Sequence, residues 1–174
     1  MVRLSKNFTL QEYTKSQTAT RNGIDNTPGE EHLAKAKSLF ENVVQKVRDN
    51  FGVPVVSDFS DPSWAKQTGE ICDLVQVPAY LCRQTSILKA AANTGRPVLL
   101  KKGQFMSPWN MKNSVKKLEE FGCRQIILTD RGTFMGYNML VNDMTCFPIM
   151  GETGYPVCFD ATHSCLLYTS DAAD

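Results

Sequence analysis

The stretch Arg96-Pro-Val-Leu-Leu-Lys-Lys-Gly-Gln-Phe105, RPVLLKKGQF, decides the fold. Three aliphatic residues follow a proline, and the run ends on two adjacent lysines and a glycine. An apolar run of this length between proline and glycine reads as a short buried strand. Four other stretches are built the same way: VPVVSD (53–58), CDLVQVP (72–78), QIILTDRG (125–132) and PVCFDATH (156–163). Each holds a few β-prone residues and ends on something polar. Between them, Met111, Val115, Leu118 and Phe121 recur at helical spacing, opposite Lys112, Lys116, Lys117, Glu119 and Glu120, with Gly122 as a stop. Ile87, Leu88 and Ala91 do the same ahead of Gly95. Strand ends thus recur at roughly the length of one βα unit, which predicts parallel strands. Nearly continuous apolar runs further predict strands covered on both faces.

Parallel α/β sheets place their chemistry at the carboxyl ends of the strands, in barrels and open sheets alike. Here those ends supply Asp58, Gln76, Lys101, Lys102, Asp130, Arg131, Asp160 and His163. Successive strand residues point to opposite sides, so one of the two lysines should face a pocket and the other the surrounding shell. Lys, Arg and Gln with one His suit a small polyanion such as a phosphate ester. A single charged residue after a strand is ordinarily a solvated loop residue. Five strand ends of compatible chemistry make a site the better reading.

The chain has 174 residues, the size of one ordinary domain, and a net charge of +1. That balance argues against bulk attraction to nucleic acid or an anionic membrane. No apolar run approaches the length of a membrane span, and MVRLSKNFTLQEYT has no signal-peptide core. The six cysteines form no C-x-x-C pair and read as reduced thiols. A soluble cytoplasmic protein that binds neither nucleic acid nor membrane is the expectation.

VQVPAYLCRQT (75–85), KKGQFMSPWNMKN (101–113), LTDRGTFMGYNMLVNDM (128–144) and PIMGETGYPVCFDATHS (148–164) closely resemble 3-deoxy-D-manno-octulosonate-8-phosphate synthase, over about Val53 to Ser164. The resemblance implies an α/β fold, part of a (β/α)8 barrel with about five parallel strands. It implies condensation of phosphoenolpyruvate with arabinose 5-phosphate, releasing phosphate, on the route to the lipopolysaccharide inner core. Lys101 and Arg131 then look like the phosphoenolpyruvate ligands, with Gln76 and the backbone around Ala79 lining the same pocket. Arg83 resembles the arginine that reaches a neighbouring subunit to hold the sugar phosphate, and a homotetramer is implied. Asp58 resembles an aspartate near the aldehyde. His163 matches a metal ligand of the metal-dependent members, so a divalent metal is implied only if the parent is one of these. The phrasing of PAYLCRQT and DATHS speaks against the related condensing enzyme that opens the shikimate route. Two departures stand out: Ser60 in SDFSDP occupies a position where histidine is common, and Tyr80 replaces a phenylalanine, adding a polar handle to an apolar wall.

The resemblance spans the family's third to seventh barrel strands. The family's K-x-N-R-S loop, the cysteine of its metal site and its C-terminal Glu and Asp ligands have no counterpart in the sequence. Residues 1–52 read as a helical segment of different origin, 53–164 as the partial barrel and 165–174 as an artefactual tail. In the first segment Thr9 and Glu12 form a capping box, and Leu33, Ala36, Leu39, Phe40, Val43, Val44 and Val47 mark an amphipathic helix ending at Gly52. LSKNFTLQEYTKSQTATRNGIDNTP is similar to the start of phage-type zinc D-Ala-D-Ala carboxypeptidases, without their zinc motifs. CLLYTSDAAD reads as a translated sequencing adapter. A cell-wall peptidase fragment and a non-functional chimeric reading frame are therefore the alternatives to a synthase fragment. The chain by itself is expected to show no phosphate release from phosphoenolpyruvate and arabinose 5-phosphate.

Overall fold

The computed structural model describes residues 30–137 and 139–164. The Thr9–Glu12 capping box and the tail with Cys165 lie outside the described residues. The chain divides into two compact units, one ending at Val43 and one beginning at Val44. What is described of the first is the start of α1 (Glu30–Phe51), where Lys37 and Glu41 pair one turn apart at 3.8 Å.

In the second unit, α1 continues to Phe51 and stops at Gly52, whose φ of 62° is the left-handed conformation that ends helices. Arg48, near the end of α1, donates to Asp73 Oδ2 at 2.8 Å and to the Ile71 carbonyl at 2.7 Å. Asp73 also accepts from the Val55 amide at 2.9 Å. One carboxylate thus ties the helix end to the lead-in of the first strand. That amide bond, helped by the Arg48 guanidinium, outweighs burial and holds the Asp73 carboxyl below the usual range.

Five strands, β1 (Val56–Asp58), β2 (Leu74–Val77), β3 (Val98–Lys101), β4 (Ile126–Asp130) and β7 (Val157–Phe159), form one sheet in the order β1-β2-β3-β4-β7. Every pairing is parallel. The order never reverses, as it would at the switch point of a doubly wound sheet, so the sheet is an arc of a (β/α)8 barrel. Helices α2 (Ala65–Ile71), α3 (Thr85–Asn93) and α4 (Met111–Glu120) connect the first four strands. The expected stripes of α3 and α4 are buried: Leu88, Ala91, Met111 and Leu118 have no exposed surface, and neither do Val75, Val77, Val98, Leu100 and Leu128 of the strands, whereas of the expected α1 stripe Val44 is buried and Leu39 is exposed. Between β4 and β7, a hairpin of β5 (Thr133–Phe134) and β6 (Leu140–Val141) precedes α5 (Cys146–Gly151), and α6 (Ala161–Ser164) follows β7.

The expectation that the strands are covered on both faces needs correction. Burial alternates along β2 and β3: Leu74, Gln76 and Leu99 are half-buried while their neighbours are fully enclosed. An inner side chain of a barrel is covered by side chains from strands across the axis. Five consecutive strands supply only part of such a layer, so the inner face is left open around Leu74, Gln76 and Leu99, whereas Lys101 and Thr129 nearer the strand ends are buried.

Among the described residues all five cysteines are free thiols. Burial pushes the thiols of Cys72, Cys82, Cys123 and Cys146 up, whereas Cys158 is exposed. No helix among the described residues is long and apolar enough to cross a membrane.

Two outcomes test this account. Leu100→Ala should lower stability by about 2–5 kcal/mol in urea titration, since it empties a closed site between sheet and helices. Asp73 carries a depressed pKa, so the stability it contributes is present at neutral pH and lost as pH falls through the carboxylate range. Asp73→Asn should therefore flatten the acid limb of the stability–pH profile, and an unchanged limb would remove Asp73 from its cause.

Candidate active site

Strand β3 delivers Lys101 and Lys102 to opposite sides of the sheet. Lys101 shares the open face with Leu99, and its Nζ lies 2.5 Å from Asp160 Oδ2 and 3.4 Å from His163 Nδ1. Asp160 follows β7, and its own amide extends the ladder by donating to the Asp130 carbonyl at 2.9 Å. It sits at the start of α6, where Oδ1 accepts from the His163 amide at 3.1 Å and Oδ2 accepts from His163 Nδ1 at 2.7 Å. The D-A-T-H spacing brings carboxylate and imidazole together because three residues span about one helical turn. A carboxylate can only accept, so Nδ1 carries a proton, and in the neutral ring Nε2 keeps the lone pair. Lys101 Nζ and His163 Nδ1 are then both donors converging on one oxygen. Burial alone would raise the Asp160 carboxyl, yet the Lys101 ammonium and the His163 contacts outweigh it and hold it below the usual range.

Lys102 turns to the helix side and has no exposed surface. Its Nζ lies 3.3 Å from Asp130 Oδ1, an ion pair whose angle falls outside hydrogen-bond geometry. It donates instead to oxygens of the loops after β3 and β4.

Beside Lys101 the register places Thr129, and two residues on along the same face comes Arg131. Thr129 Oγ1 and Arg131 Nε are both buried without a hydrogen-bond partner. A guanidinium N–H without an acceptor is costly unless something else supplies one. At this strand end an anion would satisfy it. Gln76, half-buried on the open face, is the register partner of Asp58 on one side and Leu99 on the other. Ala79 is buried at the start of a 3-10 turn, its carbonyl 3.0 Å from where a side chain on Gly103 would begin. Gly103 is therefore where two strand-end loops meet without room for a Cβ.

Asp58 is exposed at the end of edge strand β1. Arg83 lies apart from the Lys101 cluster: it lines a cavity of about 360 Å³ with Phe105, Met106, Asn110, Asn113, Ser114 and Lys117. One sequence expectation changes. Tyr80 does not add a polar handle to an apolar wall, because it is 62% exposed, with its ring 6.5 Å from that of Phe105. Ser60 is exposed as well. Reading the sequence placed Asp160 at a strand end without a partner or role, and did not assign Thr129 to the site. The signals were the D-x-x-H spacing and the alternation through Leu-Thr-Asp-Arg.

Comparison with known proteins bears on these residues. The family model described as the DAHP synthetase I family matches residues 32–167. The chain belongs to that family. Similar relatives are the 2-dehydro-3-deoxyphosphooctonate aldolases of Geobacter sp. (53% identical over 122 residues, 70% of this chain and 45% of the relative) and Protochlamydia amoebophila (52% over 122 residues, 70% and 44%). The Rickettsia typhi protein of the same name is 42% identical over 166 residues, 94% of this chain and 59% of its own length. The chain thus spans about half the length of these relatives. The family match takes in residues 32–52, and the peptidase alternative finds no support in these matches.

A divalent metal needs about four ligands at fixed geometry. Among the described residues no three His, Cys, Asp or Glu side chains come together, and Asp160 is already committed to Lys101 and His163. The described residues do not by themselves fit a metal. The hydrogen-bond pattern makes a firm prediction: long-range ¹⁵N–¹H NMR should find His163, when neutral, as the Nδ1–H tautomer. Asp160→Asn should shift it toward Nε2–H; an unmoved tautomer would show that Asp160 does not set it.

Proposed function

We propose that this chain carries the phosphoenolpyruvate-binding half of a 3-deoxy-8-phosphooctulonate synthase, which condenses phosphoenolpyruvate with arabinose 5-phosphate and releases phosphate. The family membership and the aldolase relatives support the reaction class. The observation that carries the site is the buried, unpartnered Arg131 Nε, on the sheet face that also holds Lys101 and Thr129 Oγ1. Donors without acceptors beside an ammonium describe a place for a small anion.

In this reading the enol carbon of phosphoenolpyruvate attacks the sugar aldehyde, and water adds at the neighbouring carbon. The C–O bond to phosphorus-bearing oxygen then breaks and phosphate leaves with the electron pair. Lys101 and Arg131 hold the charge of phosphate and carboxylate, which is the electrostatic part of catalysis. Gln76 and the backbone at Ala79 line the same pocket, and Asp58 stands toward the aldehyde. Lys101 gives up part of its bond to Asp160 when the ligand arrives. His163, whose Nε2 keeps a lone pair when the ring is neutral, presents an acceptor beside the Lys101–Asp160 pair. Arg83, apart from the Lys101 cluster, suits a sugar-phosphate contact made across a subunit boundary of a homotetramer. Free thiols accord with a cytoplasmic setting.

Titration calorimetry of this chain with phosphoenolpyruvate tests the site without requiring turnover. Saturable binding is expected. Arg131→Ala should weaken it by roughly ten- to a hundredfold, the loss of a charged hydrogen bond of about 1.5–3 kcal/mol. A folded chain that takes up no heat from phosphoenolpyruvate would overturn the reading.

A further inference from the structure

Among the described residues Lys102 is the largest side chain with no exposed surface, and the reaction proposed above gives it nothing to do. Its ammonium lies within hydrogen-bond reach of Gly132 O at 3.1 Å, Thr133 Oγ1 at 3.0 Å, Gly103 O at 3.2 Å and Met106 O at 3.4 Å. With Asp130 Oδ1 at 3.3 Å, that makes five oxygens around three protons. They come from two segments only: residues 103–106 after β3, and residues 130–133 at the end of β4 and in the loop that follows.

Those segments adjoin or carry the proposed anion ligands. Lys101 precedes Lys102 in the chain, and Arg131 lies between Asp130 and Gly132, both of which Lys102 contacts. The Lys102 amide also donates to the Thr129 carbonyl at 2.8 Å, and the Phe134 amide to the Gln104 carbonyl at 2.8 Å, so the two loops are stitched on either side of the ammonium. Asp130 adds a second hold by accepting from the Gly132 amide at 3.1 Å. Gly132 has φ 96° and no room for a side chain against Leu140, so the turn beyond Arg131 has little freedom of its own. Strand alternation keeps Lys102 and Asp130 behind the sheet while Lys101 and Arg131 face the open side.

A buried ion pair is seldom retained for stability alone, since an apolar pair of equal volume often does as well. What an apolar pair cannot do is bind carbonyls of two loops at one point. We infer that Lys102 is a positioning residue for the anion site: from behind the sheet it sets Arg131 and Lys101 in register, so affinity for the anion depends on a lysine that never touches it. This rests on the phosphoenolpyruvate reading of the site.

The test compares the unaltered chain with Lys102→Met/Asp130→Asn, which removes both buried charges together, and with Thr133→Val, which removes one acceptor and strands no charge. Three quantities are read: melting temperature, Kd for phosphoenolpyruvate by calorimetry, and the ¹H–¹⁵N resonance of Arg131 Nε without ligand. The double variant is expected to melt cooperatively, to bind at least tenfold more weakly, and to show a displaced or broadened Arg131 resonance. Thr133→Val should keep its melting temperature and bind about threefold more weakly. A purely structural lysine would move the melting temperature and leave Kd and the Arg131 resonance of the folded protein alone; that result overturns the inference. Should the double variant not fold, Thr133→Val decides on the same readouts. Should the unaltered chain bind no phosphoenolpyruvate, the functional reading fails, and the ligand-free Arg131 resonance still decides whether Lys102 positions it.

Discussion

An ammonium closed off from water must have its charge balanced and its protons accepted where it stands. Lys102 meets that requirement with Asp130 and with oxygens of two loops, and no single element could have supplied them all. The ends of β3 and β4 therefore cannot drift independently. Everything proposed about the open side of the sheet, from the reach of Lys101 to the idle Arg131 Nε, presupposes that those two ends are fixed relative to each other.

On that open side the charges are unequally satisfied. Lys101 is held by Asp160, which also holds His163, so its charge is answered before any ligand arrives. Arg131 Nε has no such partner. In the proposed reading, an incoming anion would meet one donor that is ready and one that must be shared with a carboxylate. Asp160 thus balances an ammonium that would otherwise stand poorly hydrated and alone, and under the proposed function it would compete with the ligand for Lys101. The D-A-T-H turn makes this economical, because one short helix start orients the carboxylate and its histidine together.

Much of the frame was legible. Period and punctuation marked all five strands, the two principal helices and their glycine stops at Gly95 and Gly122, both with φ above zero. Turn chemistry was legible too, and went unread. Asp61 accepts from the Ser63 amide at 2.8 Å to start the 3-10 turn at Pro62–Trp64. Asp143 accepts from the Thr145 amide at 2.9 Å ahead of α5. The β5–β6 hairpin carries few of the usual strand signals, since Thr133–Phe134 and Leu140–Val141 are only two residues each and pair around a long turn.

The chain's own order of residues determined that five parallel strands would end in polar groups, and that adjacent lysines on one of them must point apart, because a strand has a period of two. Period alone does not say which side is which. That was decided by where α3 and α4 pack: they enclose the face of Val98 and Leu100, which consigns Lys102 to the buried side and leaves Lys101 to meet Asp160 and His163 across a distance of some sixty residues in the chain. Side-chain burial depends on neighbours brought together by the fold, and no local pattern contains them.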